Sequence, residues 1–255
     1  MSITQTVSLR SRLFLSGTDS AAPRLARQYG CGYEITAFCY APNLEDVSLR
    51  SAVRAEMDGI SSFWLHAPFA ELIPCSVDPR VRAVVRERCL QTISVAVQLG
   101  VRRLVFHGGY IPLVYFPEWY VEQSICFWRD LLPQLPPDLT IALENVMEPS
   151  PDSLVAIVRG IDDPRFGLCL DVGHANTVVS QTPPLDWLEP MRPYLRHVHL
   201  HDNHGHLDEH LPLGDGSMPI PALLDALSAL PDVTITLENQ SVAPSLQYLS
   251  AHGYL

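Results

Sequence analysis

Lysine is missing from this 255-residue sequence, and all 17 basic residues are arginine. That excludes Schiff-base catalysis, attachment of pyridoxal phosphate and the phosphate-binding lysine of a P-loop. A G-x-G-x-x-G run after a strand and a G-x-S-x-G elbow are missing too, which removes the dinucleotide fingerprint and the hydrolase serine. No apolar run is long enough to span a bilayer, and Met1 to Arg12 lacks the apolar core of a secretory signal. The six cysteines (Cys31, Cys39, Cys75, Cys89, Cys126, Cys169) form no C-x-x-C pair. Most lie in apolar surroundings, so buried, reduced thiols in a cytoplasmic protein are expected. A formal charge of −11 argues against a nucleic-acid partner, which requires a basic face. The cluster Arg80, Arg82, Arg86 and Arg88 reads as a solvated helix face. Metal chemistry is the main catalytic option that remains.

What is present is a regular alternation. The chain is 47% hydrophobic, enough for a large core, and short β-type runs alternate with longer helical ones. Strands are expected at Arg12–Ser16, Tyr33–Phe38, Ser62–His66, Arg103–His107, Thr140–Glu144, Phe166–Asp171, Leu195–Leu200 and Val233–Glu238. Helical stretches follow each, around Ala21–Tyr29, Leu44–Gly59, Pro79 to Gly100, Pro117–Leu132, Pro151–Arg159, Leu185–Met191, Pro219–Leu230 and Ala243–Ala251. Asp78 and Pro79 make a good start for the third helix, and Gly100 ends it. Eight such repeats with no linker predict an α/β fold, a single (β/α)8 TIM barrel over residues 1–255. The segment Tyr110 to Tyr120 holds five aromatic residues, which could wall a pocket, meet a second copy of the chain in a homo-oligomer, or pack into the core.

Ligand-type residues end the apolar runs one after another. Phe63-Trp64-Leu65 stops at His66, Leu104-Val105-Phe106 at His107, and Ile141-Ala142-Leu143 at Glu144. Leu168-Cys169-Leu170 stops at Asp171, with His174 three residues on. His197-Val198 stops at His199, and Ile235-Thr236-Leu237 at Glu238. In a barrel, strand ends deliver side chains to the C-terminal mouth, where active sites lie. The stretch His199 to Gly216 adds Asp208 and His210, which point the same way if the segment is extended. Imidazole with carboxylate suits zinc, manganese or cobalt. The candidate metal set is therefore His66, His107, Glu144, Asp171, His174, His199, Asp208, His210 and Glu238, enough for one to three divalent ions. Asn145 is a candidate to touch substrate, and Asp202 and Asn203 are candidates either to orient ligands or to touch substrate. His197 and His201 share the face of His199 and read as packing or orienting residues, His204 and His206 as loop residues, and His252 as part of the C-terminal tail. Glu34, on the second strand, could sit in the barrel mouth, but the sequence does not place it.

The motifs Leu-Glu-Asn (143–145), Leu-Asp-Val-Gly-His (170–174), His-Leu-His-Asp-Asn (199–203) and Asp-Glu-His-Leu-Pro-Leu-Gly-Asp-Gly (208–216) resemble the xylose-isomerase-like barrel superfamily. That superfamily includes the sugar-phosphate isomerase/epimerase group and the endonuclease IV group of zinc phosphodiesterases. Resemblance to the ketose 3-epimerase branch implies one Mn²⁺-type ion on Glu144, Asp171, His199 and Glu238, with His174 touching substrate. Resemblance to the endonuclease IV branch implies three zinc ions on all nine positions, with Glu144 bridging two. The run Asn-Val-Met-Glu-Pro after Glu144, and the acidic charge, depart from the endonuclease pattern.

Two functions follow. The first is a metal-dependent isomerase or epimerase of a small sugar or sugar phosphate, with Glu144, Glu238 and His174 catalytic. One of the paired carboxylates would be ionised while the other carries the proton. The second is a zinc-dependent phosphoesterase acting on a small phosphorylated substrate or abasic DNA. A purely structural metal site fits less well, because such sites are closed and poor in carboxylate.

Overall fold

The computed structural model describes residues 8–255. The first seven, part of the N-terminal stretch read as lacking a secretory signal, lie outside the described residues. Eight parallel strands close in sequence order into a barrel. They are β1 Leu13–Ser16, β2 Gly32–Ile35, β3 Phe63–His66, β4 Arg103–His107, β5 Thr140–Glu144, β6 Phe166–Asp171, β7 Leu195–Leu200 and β8 Thr234–Leu237. The helices are α1 Ala22–Tyr29, α2 Val47–Glu56, α3 Pro79–Leu99, α4 Pro117–Leu131, α5 Asp152–Ile161, α6 Pro184–Met191, α7 Ile220–Ser228 and α8 Val242–Ala251. This is the expected (β/α)8 architecture. Among the described residues no helix is long and apolar enough to cross a membrane.

Local chemistry sets the boundaries. Asp78 accepts the Arg80 N–H at 2.8 Å and Pro79 opens α3; Gly100, in the left-handed region at φ +80°, closes it. Asp46 accepts from Ser48 and Leu49 N–H groups and starts α2. The single helix expected over 44–59 is therefore broken into a 3₁₀ turn, Ala41–Glu45, and α2. Arg12, expected in the first strand, lies in a 3₁₀ turn instead. Its guanidinium donates to the carbonyls of Leu227, Leu230 and Val233 and ties the bottom of the barrel. The second strand ends at Ile35, short of the expected Phe38.

Strand side chains alternate in direction, and this alternation builds the site. Leu13, Leu15, Leu65 and Leu143 belong to the large core between strands and helices. Phe14, Trp64, Val105, Ala142 and Cys169 form a separate buried cluster inside the barrel. Two residues further along each strand stand Ser16, His66, His107, Glu144 and Asp171. The barrel interior is thus apolar below and polar above, by strand periodicity alone. A register shift between Leu168 and Cys169 pairs Cys169 with His197 and Asp171 with His199, which brings the β7 histidines into the same stack.

The aromatic segment divides its roles. The Tyr120 hydroxyl is buried and donates to Glu148 at 2.7 Å, and Trp119 donates to the Cys75 carbonyl. Leu113, Val114 and Phe116 are exposed. All six cysteines are free, and Cys126 is exposed rather than buried as expected.

Candidate metal centre

Six of the nine candidate ligands leave the barrel at strand ends or directly after them, and all nine come together at the mouth. His199 Nδ1 lies 3.2 Å from Glu144 Oε1, 3.0 Å from Glu238 Oε2 and 3.8 Å from Asp171 Oδ2. Glu144 Oε2 lies 3.2 Å from His66 Nε2 and 3.4 Å from His107 Nε2. On the other side Asp208 Oδ2 lies 2.8 Å from His210 Nε2 and 3.3 Å from His174 Nε2. Glu144 stands between these groups, 3.5 Å from His174 Nδ1.

The imidazoles are oriented for a cation. Each of four rings has one nitrogen against an acceptor and the other against a carboxylate. His66 Nδ1 meets the Ala67 carbonyl at 2.9 Å, His174 Nδ1 the Asn145 carbonyl at 2.8 Å, and His210 Nδ1 the Glu238 carbonyl at 2.8 Å. His199 Nε2 meets Glu34 Oε1 at 3.0 Å. A carbonyl can only accept, so the facing nitrogen carries its proton, and the second nitrogen turns a lone pair toward carboxylates. Two electron-rich groups at that separation require a proton or a metal ion between them. An acceptor–histidine–metal relay has this arrangement. The spacing agrees: a tetrahedral ion with bonds of roughly 2.0–2.1 Å separates its ligand atoms by about 3.3–3.4 Å. The donor set therefore fits a divalent ion.

The electrostatics point the same way. Burial alone would raise the Glu144 pKa, but His199 and His107 outweigh it and hold the carboxyl well below the usual range. Burial would likewise raise Asp171; His174 and His201 bring it down to about 2. Burial would depress His210, yet Asp208 and Glu238 lift it to about 9. Protons on these rings and a metal ion compete for the same lone pairs, so metal uptake releases protons.

Other donor groups lie close enough to share an ion, including Glu34–His197–His199, Glu144–Cys169–His199 and His201–His210–Glu238. Chemistry separates them. The buried Cys169 thiol is pushed up to about 12 and is a poor ligand while protonated. His197 has both nitrogens occupied, by Thr234, Thr236 and Glu34, and stacks on Trp64 at 4.3 Å.

Two residues matter more than the sequence indicated. Glu34 is buried beneath the mouth, bonded to His197, His199 and Thr236, and so holds His199 from behind. His201 lies 3.1 Å from Asp171 Oδ1 and stacks on His210 at 4.1 Å; its Nδ1 is buried without a partner. Its alternation with His199 was legible, but its distance from Asp171 was not. Gly173 makes room for it, since a Cβ there would run into the imidazole.

The three candidate substrate contacts are used differently. The Asn145 amide donates to the Asp171 carbonyl at 2.9 Å and accepts its N–H at 2.8 Å. The Asp202 carboxylate accepts from four backbone N–H groups. Asn203 bonds Gly173, Asn176 and Gly205. All three are buried and bond the backbone of neighbouring loops. Asp208 and His210 converge, but not through an extended segment: His210 adopts φ +51°.

Residues 24–252 match the family model described as xylose isomerase-like TIM barrel, and the chain belongs to that family. It is 31% identical to an uncharacterized protein, MJ1311, of Methanocaldococcus jannaschii over 194 residues, covering 72% of this chain and 66% of the relative. The matched part is thus just under two thirds of that relative's length. It is 27% identical to a protein of Mycobacterium leprae named "Probable endonuclease 4" over 175 residues, 64% of this chain and 68% of that one. Among solved structures it is similar to the TTHB071 protein of Thermus thermophilus, from a ZnCl₂ soak (TM-score 0.75, 30% identity, 95% and 97% of the two chains). It also shares its fold with a D-tagatose 3-epimerase-like protein (TM-score 0.78, 24% identity, 94% and 95% covered).

Proposed function

We propose that the chain works as one catalytic domain, a divalent-metal-dependent isomerase or epimerase of a small sugar or sugar phosphate. The observation that carries this reading is the pair of carboxylates on one nitrogen: Glu144 Oε1 at 3.2 Å and Glu238 Oε2 at 3.0 Å from His199 Nδ1. Glu144, Asp171, His199 and Glu238 would hold the ion. A bound divalent ion supplies Lewis-acid polarisation of a carbonyl and its neighbouring hydroxyl. Glu144 and Glu238 then remove and return the proton on the adjacent carbon, a task that needs one carboxylate ionised and one protonated. His174, fixed by the Asn145 carbonyl, would offer to a substrate oxygen the Nε2 that here lies 3.3 Å from Asp208. Phe69, 43% exposed, stacks on His107 at 4.4 Å and offers an apolar wall to the C–H face of a sugar. The likeness to an epimerase-like fold is consistent with this reading.

A second reading is a zinc phosphoesterase. The observation in its favour is that His66 and His107 gather on Glu144, and His174 and His210 on Asp208, which provides for further ions. The relative named "Probable endonuclease 4" is in line with it. The deciding experiment follows deuterium entry from D₂O into the carbon next to the carbonyl, across a panel of ketohexoses and ketopentoses with Mn²⁺- or Zn²⁺-loaded protein. Exchange that Glu144→Gln abolishes supports the isomerase. No exchange with any sugar, together with metal-dependent hydrolysis of bis(p-nitrophenyl) phosphate, would replace it with the phosphoesterase.

A further inference from the structure

The eight strand-to-helix loops that form the mouth (17–21, 36–46, 67–78, 108–116, 145–151, 172–183, 201–219 and 238–241) make up nearly a third of the chain. None contains an arginine or a lysine. Every arginine lies on a helix, in a helix-to-strand turn, at the first residue of β4, at the second of β7, or in the turn before β1. Arg24, Arg50, Arg80 and Arg82, in the first turns of outer helices, come nearest in the chain. Arg50 and Arg82 are bonded to the carbonyls of Leu44 and Ser76, and Arg24 to Gln28.

Barrel enzymes with phosphorylated substrates commonly grip the phosphate with backbone N–H groups after the seventh and eighth strands. Here those groups are already taken. Gly214, Gly216 and Met218 N–H point at Asp202 at 3.0, 3.0 and 3.1 Å, and Asn203 N–H joins them at 2.9 Å. Such a ring of N–H groups is an anion nest, and this one is filled by the protein's own carboxylate. A Cβ at Gly216 would strike Asp202, so the glycine is required for the carboxylate to enter. After the eighth strand, Val242 N–H at the start of α8 donates to Asp19 at 2.9 Å. The ligand cluster adds four carboxylates of its own, Glu144, Asp171, Asp208 and Glu238.

We infer that this site takes an uncharged, polyhydroxylated carbohydrate and rejects its phosphorylated counterpart. The mouth loops carry no arginine or lysine for a phosphate, and their amide nest is already filled by Asp202. This rests on the sugar reading above and narrows it: of sugar and sugar phosphate, the free sugar is the substrate.

The test is isothermal titration of the Mn²⁺-loaded full chain with inorganic phosphate, glycerol 3-phosphate and D-fructose 6-phosphate. The expected result is binding no tighter than about 10 mM, roughly −2.7 kcal/mol, for all three. A dissociation constant below about 0.1 mM for any of them would overturn the inference. That failure leaves the sugar reading intact, since deuterium exchange into ketoses judges it separately. A second measurement uses the best exchanging ketose and its phosphate ester as competing substrates. Preference for the ester overturns the inference, and at least tenfold preference for the free sugar supports it.

Discussion

His197 and His199 are two residues apart on the same strand, equally buried, and do different things. His197, at the floor, has its ring nitrogens bonded to Thr234, Thr236 and Glu34 and its face against Trp64. His199, one layer up, shares Glu34 but turns its other nitrogen to Glu144 and Glu238. The floor as a whole is chemically closed. Arg103 lies 5.0 Å below the Phe14 ring and donates to Ser62 and Phe63, and Arg12 is consumed by carbonyls. At the mouth, carboxylates and imidazole lone pairs face each other. What separates the two histidines is which groups their nitrogens meet, hydroxyls and Glu34 for His197 and mouth carboxylates for His199, not residue type or burial.

The largest effect expected concerns the mouth. Glu144→Gln should lower exchange at least about 100-fold while circular dichroism stays that of the folded protein; retained turnover with the true substrate would remove Glu144 from the chemistry. Next comes the joint between the layers. Glu34→Ala leaves two buried imidazoles without their shared acceptor. It should cost about 3–5 kcal/mol in denaturant unfolding and weaken metal binding about 10–100-fold. Loss of stability with unchanged metal affinity would mean that Glu34 serves the floor alone. The histidine pair can then be split. His197→Asn should cost about 2 kcal/mol and keep the metal content of the wild type, whereas His199→Asn should lose metal. If metal analysis gave both variants the same content, the distinction drawn between the layers would fail.

The smallest effect lies beside the mouth. Burial raises the pKa of the Glu148 carboxyl, and the Tyr120 hydroxyl and Val146 N–H offset this only in part. A carboxyl raised in the folded state contributes stability below its unfolded value of 4.5 and loses it as pH rises through the folded value. Glu148→Gln imitates the protonated form. Thermal melts should show the two proteins alike near pH 4.5 and the variant gaining on the wild type toward neutral pH; a constant difference across that range would contradict the assignment.

The fold was largely legible because the central strands are uninterrupted apolar runs. β4, β5, β6 and β7 begin and end at the expected residues. The same runs exposed six ligands, since each stops at the first His, Asp or Glu that the mouth receives. Glu34 escaped placement because the apolar run does not stop at it: Ile35, Ala37 and Phe38 continue beyond it, so it reads as a mid-strand residue. Asn145, Asp202 and Asn203 could be singled out but not assigned partners, for a different reason. They neighbour ligands in the chain, but nothing local tells whether an amide or carboxylate turns to the substrate or to the backbone of the next loop. Only the closed barrel brings Asp202 to the Gly214 and Gly216 amides.

On the reading proposed above, Glu144, Asp171, His199 and Glu238 would hold one catalytic divalent ion at the mouth. Anomalous scattering from crystals of the metal-loaded protein tests it most directly. One strong peak within bonding distance of all four residues is the predicted result. Peaks also engaging His66, His107, Asp208 and His210 would favour phosphoester chemistry, and an ion bound away from His199 and Glu144 would contradict the claim.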